Sequence, residues 1–363
     1  MTHYIAASWM RGGTSKCWVF ERDALAVPGS TVDEVLLRLY GSPDHRQVDG
    51  IGGATSTTSK AVIVAPSEDD DVDVDYTFAQ VGIDEPRVDW GSNCGNCSAV
   101  VAPYALEHAW VRPVGDVTTV RVRNTNTGQV LIQRVATPDG RWEPELDTVI
   151  PGVPFPGIAV GLGFENPAGQ TTGHLLPTGR ARETLSVGGR AVEASLVDAG
   201  APVVVVPAAA AGLAGVPYDD WIVAVRPELE FLDAVRRAAA VAMGLAETRE
   251  SAPRAVPKLA IVESPQDAEI SDIDVLMLSM GAPHPALAIT GSVAITMAAD
   301  IAGSLVERAA LAGGTDLRIR TPAGVVGTWR RTDGERDVVG TVRTARLLAR
   351  AQVPLPAVAL AYA

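Results

Sequence analysis

Cys94, Lys60 and Arg11 are the residues of this chain that could do chemistry, because each stands where a polar, small-residue turn meets an extended or apolar run. Cys94 lies in Gly91-Ser92-Asn93-Cys94-Gly95-Asn96-Cys97-Ser98, ahead of the apolar stretch from Ala99 to Leu106. A polar turn opening onto an apolar helix puts the thiol at the helix start. Free N–H groups and the positive end of the dipole favour an anion there and lower a thiol's pKa. The expectation is a partly ionised thiol acting as base or nucleophile beside a carboxylate-sized anion hole. The plainer alternative is a buried N-cap with a core thiol. Lys60 ends the Ser/Thr-rich loop from Asp49 to Ser59 and enters the apolar run Ala61 to Val64. At the surface it would be unremarkable. In a small-residue pocket its amine could move protons or stabilise an enolate. Arg11, with Gly12, Gly13, Thr14 and Ser15, offers a guanidinium and backbone donors. The spacing of a nucleotide-binding P-loop is absent there, so the alternative is a tight turn needing a positive φ.

Composition narrows the classes. The chain has 363 residues, 47% of them hydrophobic, and a formal charge of −13. That charge argues against nucleic acid or an anionic membrane as partner, so an anionic substrate must be held by local donors. Three cysteines, Cys17, Cys94 and Cys97, are too few for a disulfide framework and fit a reducing cytoplasm. The start of the chain lacks the basic and long apolar regions of a signal peptide. The uncharged run Ala199 to Tyr218 is interrupted by Pro202, Pro207 and Pro217 and reads as a strand, Val203 to Val206, followed by a loop. Cys94-x-x-Cys97 has no second cysteine pair and the five histidines are scattered, so no metal is expected. His284, between two prolines, reads as structural on its own.

The elements that must position these groups follow from periodicity and turn residues. Strands are expected at Ile5 to Trp9, Cys17 to Phe20, Ala61 to Val64 and Val74 to Val81, with a helix at Thr31 to Tyr40 capped by Thr31. A hairpin, Thr118 to Arg123 and Val130 to Val135, turns about Asn124 to Gly128. The pattern then restarts: strands at Val192 to Val197 and Val203 to Val206, a helix from Glu228 to Gly244, and strands at Leu259 to Val262 and Val275 to Ser279. Thr290-Gly291-Ser292 opens a second apolar helix, Val293 to Val306, and a last hairpin joins Leu317 to Arg320 with Val325 to Arg330. Each half thus runs strand, Gly turn, strand, surface helix, strand, polar turn, buried helix, hairpin.

These stretches together resemble the PrpF-type isomerases: methylaconitate cis–trans isomerase, methylitaconate Δ-isomerase and oxalomesaconate tautomerase. The matching segments are Met10 to Lys16, Gly52 to Lys60, Asn93 to Asn96, Asn124 to Gly128, Pro167 to Gly169 with Leu175 to Gly179, Ser279 to Gly281 with His284, Thr290-Gly291, and Val342 to Arg346. They run in order over nearly the whole chain. The resemblance implies an α+β fold like diaminopimelate epimerase, with two pseudo-symmetric lobes, each a curled β-sheet around a central apolar helix. It also implies proton transfer at carbon without a cofactor, with Cys94 and Lys60 as the catalytic pair. Substrate contacts implied are Arg11, Gly13, Thr14, Ser15, Ser59, Asn93, Gly95, Asn96, Ser279, Met280, Gly281, His284, Thr290, Gly291 and Ser292. The chain departs from the family pattern at Cys17, where glycine is common, at Cys97, and at Arg320 to Gly324, where a His-Pro-Ser-Gly-like turn is usual. The second-lobe cysteine of true epimerases has no counterpart, since no cysteine follows Cys97.

The reading is therefore an isomerase that moves or rotates a C=C bond in an unsaturated di- or tricarboxylate by proton abstraction and return. A carboxylate-binding accessory protein on the same scaffold and an amino-acid racemase or epimerase are the alternatives. The lobes are expected at 1–184 and 185–363, with the last strands free to cross back. The partners expected are the small acid and, as an option, a second copy in a homodimer. Nucleic acid and membrane are not among them.

Overall fold

The computed structural model describes residues 3–91, 94–279, 281–333 and 336–357. Helices and strands mix throughout, and the chain divides into two compact units. One takes the chain up to Leu162 and the stretch from Arg343 onward; the other takes Gly163–Val342. The division falls before the expected 184/185 boundary. Hydrogen bonds explain why. Asn166 N–H donates to Asp337 O (2.7 Å), Gly169 N–H to Asp198 O (2.8 Å), and the Thr171 and Thr172 N–H groups to the Asp198 carboxylate. These tie the 166–172 segment to the second unit. Among the described residues no helix is long and apolar enough to cross a membrane.

The first unit contains β1 (Tyr4–Gly12), β2 (Ser15–Glu21), α1 (Val32–Tyr40), β3 (Lys60–Pro66), β4 (Val74–Val81), β5 (Val88–Asp89), α2 (Gly95–Ser98), α3 (Val101–Glu107), β6 (Val117–Asn124) and β7 (Val130–Ala136); β8 (Ile158–Glu165) leads out of it. Strand β1 is antiparallel to β2, β2 parallel to β3, β3 antiparallel to β4, β4 parallel to β6, and β6 antiparallel to β7. Alternation gives each strand two faces. Trp18, Phe20, Ala61, Ile63, Ala79 and Val81 share a core with Val35, Leu36 and Leu39 of α1. Helix α1 starts in a capping box: Thr31 Oγ1 accepts the Glu34 N–H, and the Glu34 carboxylate accepts the Thr31 N–H. The opposite face carries Cys17, Val19, Lys60, Val62, Tyr76, Phe78 and Gln80. Helix α2 packs against β1 and β2, and α3 against β4, β6 and β7.

The apolar helix expected behind Cys94 is two pieces. Pro103 supplies the reason: its nitrogen cannot donate to the carbonyl of Ala99, and its ring crowds that carbonyl. The chain turns at Ala99 and Val100 before α3 begins. Gln133, fully buried, satisfies both broken ends. Its Nε2 donates to Ser98 O (2.8 Å) and its Oε1 accepts from Ala102 N–H (3.0 Å).

The second unit contains β9 (Glu183–Val187), β10 (Arg190–Ala199), β11 (Ala201–Pro207), α4 (Trp221–Ala224), α5 (Leu229–Ala242), β12 (Lys258–Glu263), β13 (Ile273–Ser279), β14 (Ala282–Pro283), α6 (Ile289–Ala298), α7 (Leu305–Ala309), β15 (Asp316–Thr321), β16 (Gly324–Asp333) and the first part of β17 (Arg336–Pro354). The order of directions repeats that of the first unit. Strand β10 is antiparallel to β11, β11 parallel to β12, β12 antiparallel to β13, β13 parallel to β15, and β15 antiparallel to β16. The last part of β17 belongs to the first unit, where it pairs with β1. Every residue of α6 is buried, and it packs against β10, β11 and β16. The single helix expected at Val293 to Val306 is also broken. It begins earlier, at Ile289, and ends at Ala298. Gly303 takes a left-handed φ of +80°, and Ser304 caps the separate α7 by accepting the Glu307 N–H (3.0 Å).

Candidate active site

Lys60 is the first residue of β3 and is only 8% exposed. Its Nζ donates to Gln80 Oε1 at 2.6 Å and lies 4.8 Å from the centroid of the Phe78 ring. Gln80 is its direct cross-strand partner. The other end of that amide donates to Ser59 O (2.8 Å), so the acceptor oxygen is held toward the amine. Behind the strand the Tyr40 hydroxyl donates to the Lys60 carbonyl.

Cys94 is the N-cap of α2. Its sulfur accepts the Cys97 N–H at 3.5 Å, and its carbonyl accepts the Ser98 N–H (2.9 Å). The Lys60 charge pulls the Cys94 thiol toward ionisation. The net direction is nonetheless the reverse of the sequence expectation. The Cys94 thiol is pushed well above its ordinary range, first by its hydrogen bond with the Cys97 thiol, then by burial and the Cys97 charge. A four-residue helix also has little dipole to set against those effects. Cys97 in turn hydrogen-bonds with Cys17, and burial pushes it up as well. All three cysteines are free thiols, with Cys17 and Cys97 fully buried.

The Gly12 to Ser15 turn is packed against this segment. A Cβ on Gly12 would fall 2.3 Å from Asn96 O, and one on Gly13 2.0 Å from Asn96 Oδ1; Gly13 also has a φ of +52°. Both positions therefore require glycine. Asn96 Nδ2 donates to Thr14 Oγ1 (3.2 Å), and Thr14 N–H to Asn96 Oδ1 (3.4 Å). Ser15 and Gly95 are buried in the same region.

Two expected substrate contacts are committed to the protein instead. Arg11 Nη1 donates to Gly13 O (3.1 Å) and Thr344 Oγ1 (2.6 Å), and its Nη2 donates to the carbonyls of Phe155 and Pro156 (both 3.4 Å). Arg11 faces Lys16 across β1–β2 and Arg346 across β1–β17, on the face opposite to Cys17. Burial and then the Arg346 charge lower its pKa. Its hydrogen bonds clamp the turn. Ser59 is fully buried. Its hydroxyl donates to Val81 O (2.9 Å) and accepts from Gln47 Nε2 (2.8 Å), a structural support for the loop that delivers Lys60.

In the second unit, Ser279 ends β13 opposite Ala282, and Gly281 takes a left-handed φ of +80°. His284 N–H donates to Met277 O (2.7 Å) and its Nδ1 accepts from Ala286 N–H (3.0 Å). Thr290, Gly291 and Ser292 form the buried first turn of α6. Its N-cap, Ala288, has no side chain to bond the turn's N–H groups, and the Ser292 hydroxyl turns back to Ile289 O (2.7 Å). Asn93 and Met280 lie outside the described residues. Among the described residues no group of three or more His, Cys, Asp or Glu side chains is placed to hold a metal.

Sequence reasoning missed Gln80 and the influence of Cys97. The signal for Gln80 was present: it alternates with Val74, Tyr76 and Phe78, a polar residue on an otherwise apolar strand face.

The chain is similar to known proteins over nearly its whole length. Residues 2–356 match the family described as PrpF protein. The chain is 39% identical to 4-oxalomesaconate tautomerase of Pseudomonas putida over 345 residues, covering 93% of this chain and 92% of that one. It is 37% identical to 2-methyl-aconitate isomerase of Shewanella oneidensis, covering 97% of each. The crystal structure of a methylitaconate-delta-isomerase superposes with a TM-score of 0.84 at 34% identity, covering 98% of this chain and 96% of that one. With a family match over nearly its whole length and relatives above a third identical, the chain belongs to the PrpF family.

Proposed function

We propose that this chain is a cofactor-independent isomerase that moves or rotates the C=C bond of an unsaturated di- or tricarboxylate of the aconitate, methylaconitate, itaconate or oxalomesaconate type. The observation that carries the reading is the Lys60 amine held by Gln80 within electrostatic reach of the Cys94 thiol. The relatives, isomerases and a tautomerase of such acids by name, support the same class. The repeated strand order supports two pseudo-symmetric lobes, each with a sheet curled around its apolar helix.

The chemistry follows from the pair. A carbon next to a C=C conjugated with a carboxylate loses a proton to give a dienolate. The pair is competent when it has lost one proton: a thiolate beside an ammonium, or a thiol beside an amine. One member removes the substrate proton and the other presents a proton to the dienolate. Return at a different carbon shifts the double bond; rotation before return exchanges cis and trans. The Asn96–Thr14 turn, beside the thiol segment, supplies donors for carboxylate oxygens. Matched proton-transfer groups typically contribute about 10²–10⁴-fold.

The experiment is a panel of cis-aconitate, methylaconitate, methylitaconate and oxalomesaconate followed by ultraviolet absorbance. Turnover of at least one acid by the native chain, lost in both Cys94→Ala and Lys60→Ala, is expected. Binding without turnover across the panel would overturn the reading in favour of a carboxylate-binding protein.

A further inference from the structure

Within the first unit, the edge of β4 away from β3 is satisfied by three parts of the chain in turn. Hydrogen bonding alternates along an antiparallel pair, so every second residue of β4 turns its peptide groups to that edge. The Tyr76 carbonyl accepts the Thr125 N–H (2.9 Å), just past the end of β6, and Gln80 is paired with Asp89 of β5. Phe78 falls in the gap, since β6 pairs as far as Tyr76 and β5 pairs with Gln80 and Val81. The Asn126 side chain fills that gap. Its Oδ1 accepts the Phe78 N–H (2.8 Å) and its Nδ2 donates to Phe78 O (2.9 Å). A primary amide carries the same acceptor and donor as a peptide, so one side chain stands in for a strand residue.

The amide has a second hydrogen, and it goes to the other half of the chemistry. Asn126 Nδ2 also donates to Trp90 O (2.8 Å). Trp90 follows β5 and stands four residues before Cys94, at the root of the thiol segment. On the β4 side, the Phe78 ring lies 4.8 Å from Lys60 Nζ, and Gln80, two residues on, accepts from that amine. Asn126 thus joins the strand that supports the amine to the stem that leads to the thiol. Its own place is fixed from behind. Its N–H donates to Asn124 Oδ1 (2.7 Å), and Asn124, fully buried, donates from Nδ2 to the Tyr76 hydroxyl (2.8 Å).

Proton transfer by groups on separate segments depends on how those segments are spaced, and a misplacement of about 1 Å can cost about 100-fold in rate. We propose that Asn126 is a positioning residue for the reaction: its amide sets the stem of the Cys94 segment against the strand that holds the Lys60 amine. It acts through the peptide groups of Phe78 and Trp90. The inference rests on reading Cys94 and Lys60 as the proton-transfer pair.

The test uses the intact chain and two readouts: steady-state kinetics with the acid the native enzyme turns over, and the rate at which iodoacetamide alkylates Cys94, the other two cysteines being fully buried. Asn126→Ala should lower kcat by about tenfold or more and leave KM within about twofold, the pattern for lost alignment and retained binding. Cys94 should alkylate faster, because its stem is released. Asn126→Asp keeps the size and the acceptor for Phe78 N–H but sets a carboxylate against two carbonyls. It should show the same two changes, and it is read in place of the alanine variant should that one melt early. Thr127→Ala, in the same turn, loses only a contact to the Gln129 N–H and should match the native protein in both readouts. Native kcat in the Asn126 variants, a loss carried by KM alone, or an alkylation rate unchanged from native would overturn the assignment. Full turnover by Cys94→Ala would sink the proposed chemistry, while the alkylation rates still decide what Asn126 does to the thiol segment.

Discussion

The Lys60 amine donates to Gln80 Oε1 at 2.6 Å, and the same amide donates to Ser59 O at 2.8 Å, so an uncharged acceptor with a fixed orientation holds the amine. Gln80→Met removes that acceptor and should lower kcat with KM little changed, and Gln80→Glu, which sets a carboxylate against the amine, should slow turnover as well. Native kcat in both variants, measured at steady state, would show that Gln80 does not hold the amine for the reaction.

The Cys97 thiol is the foremost cause of the upward displacement of Cys94. Cys97→Ala keeps the backbone N–H that caps onto the sulfur but removes the thiol contact. The ascending limb of kcat/KM should move to lower pH, and Cys94 should alkylate faster with iodoacetamide at pH 7. A slower alkylation would mean that Cys97 assists ionisation. Because the thiol and the amine interact, the limb belongs to the pair and not to either residue alone.

Gly12 meets Asn96 O so closely that a methyl group would sit 2.3 Å from it. Gly12→Ala must push either the turn or the thiol segment aside. Overpacking of this kind costs about 1–3 kcal/mol, and activity should fall because Asn96 is two residues from Cys94. Gly327→Ala, whose Cβ would meet open space, serves as the control. Urea unfolding and specific activity of the two variants check the contrast.

Burial raises Tyr40 and Cys97, while the Cys97 contact followed by burial raises Cys94. The fold favours their neutral forms, whereas in the unfolded chain thiols ionise near pH ~8.5 and tyrosine near ~10. Stability from these groups is complete below those values and is lost as pH rises from the unfolded toward the raised folded values. Urea midpoints should therefore fall steadily above pH ~8.5, and Cys97→Ala should soften that dependence. A flat alkaline profile would contradict the assignment of these groups as buried and neutral.

Local signals carried much of the fold. The Thr31 cap, the hairpin about Asn124 to Gly128 and the strand at Val74 to Val81 all depend on residues close in sequence, and all stand as expected. What the sequence hid was long-range. Arg11 looked like a carboxylate ligand because its partners, Thr344 and the Phe155 and Pro156 carbonyls, are far along the chain. Ser59 looked available until Gln47 and Val81 took its hydroxyl. Gln80 could be matched to Lys60 only once the β3–β4 register was known. The reversed direction at Cys94 comes from tertiary burial and a neighbouring thiol. The breaks in the two apolar helices have local causes, Pro103 and the left-handed Gly303, which the surrounding apolar run masks.

The most direct test of proton transfer by the Cys94–Lys60 pair is turnover in D₂O, followed by proton NMR of the acid that the native enzyme isomerises. Native protein should incorporate solvent deuterium at the carbon that gains hydrogen, while Cys94→Ala and Lys60→Ala give neither isomerisation nor exchange above background. Isomerisation at native rate in the two variants would contradict the account.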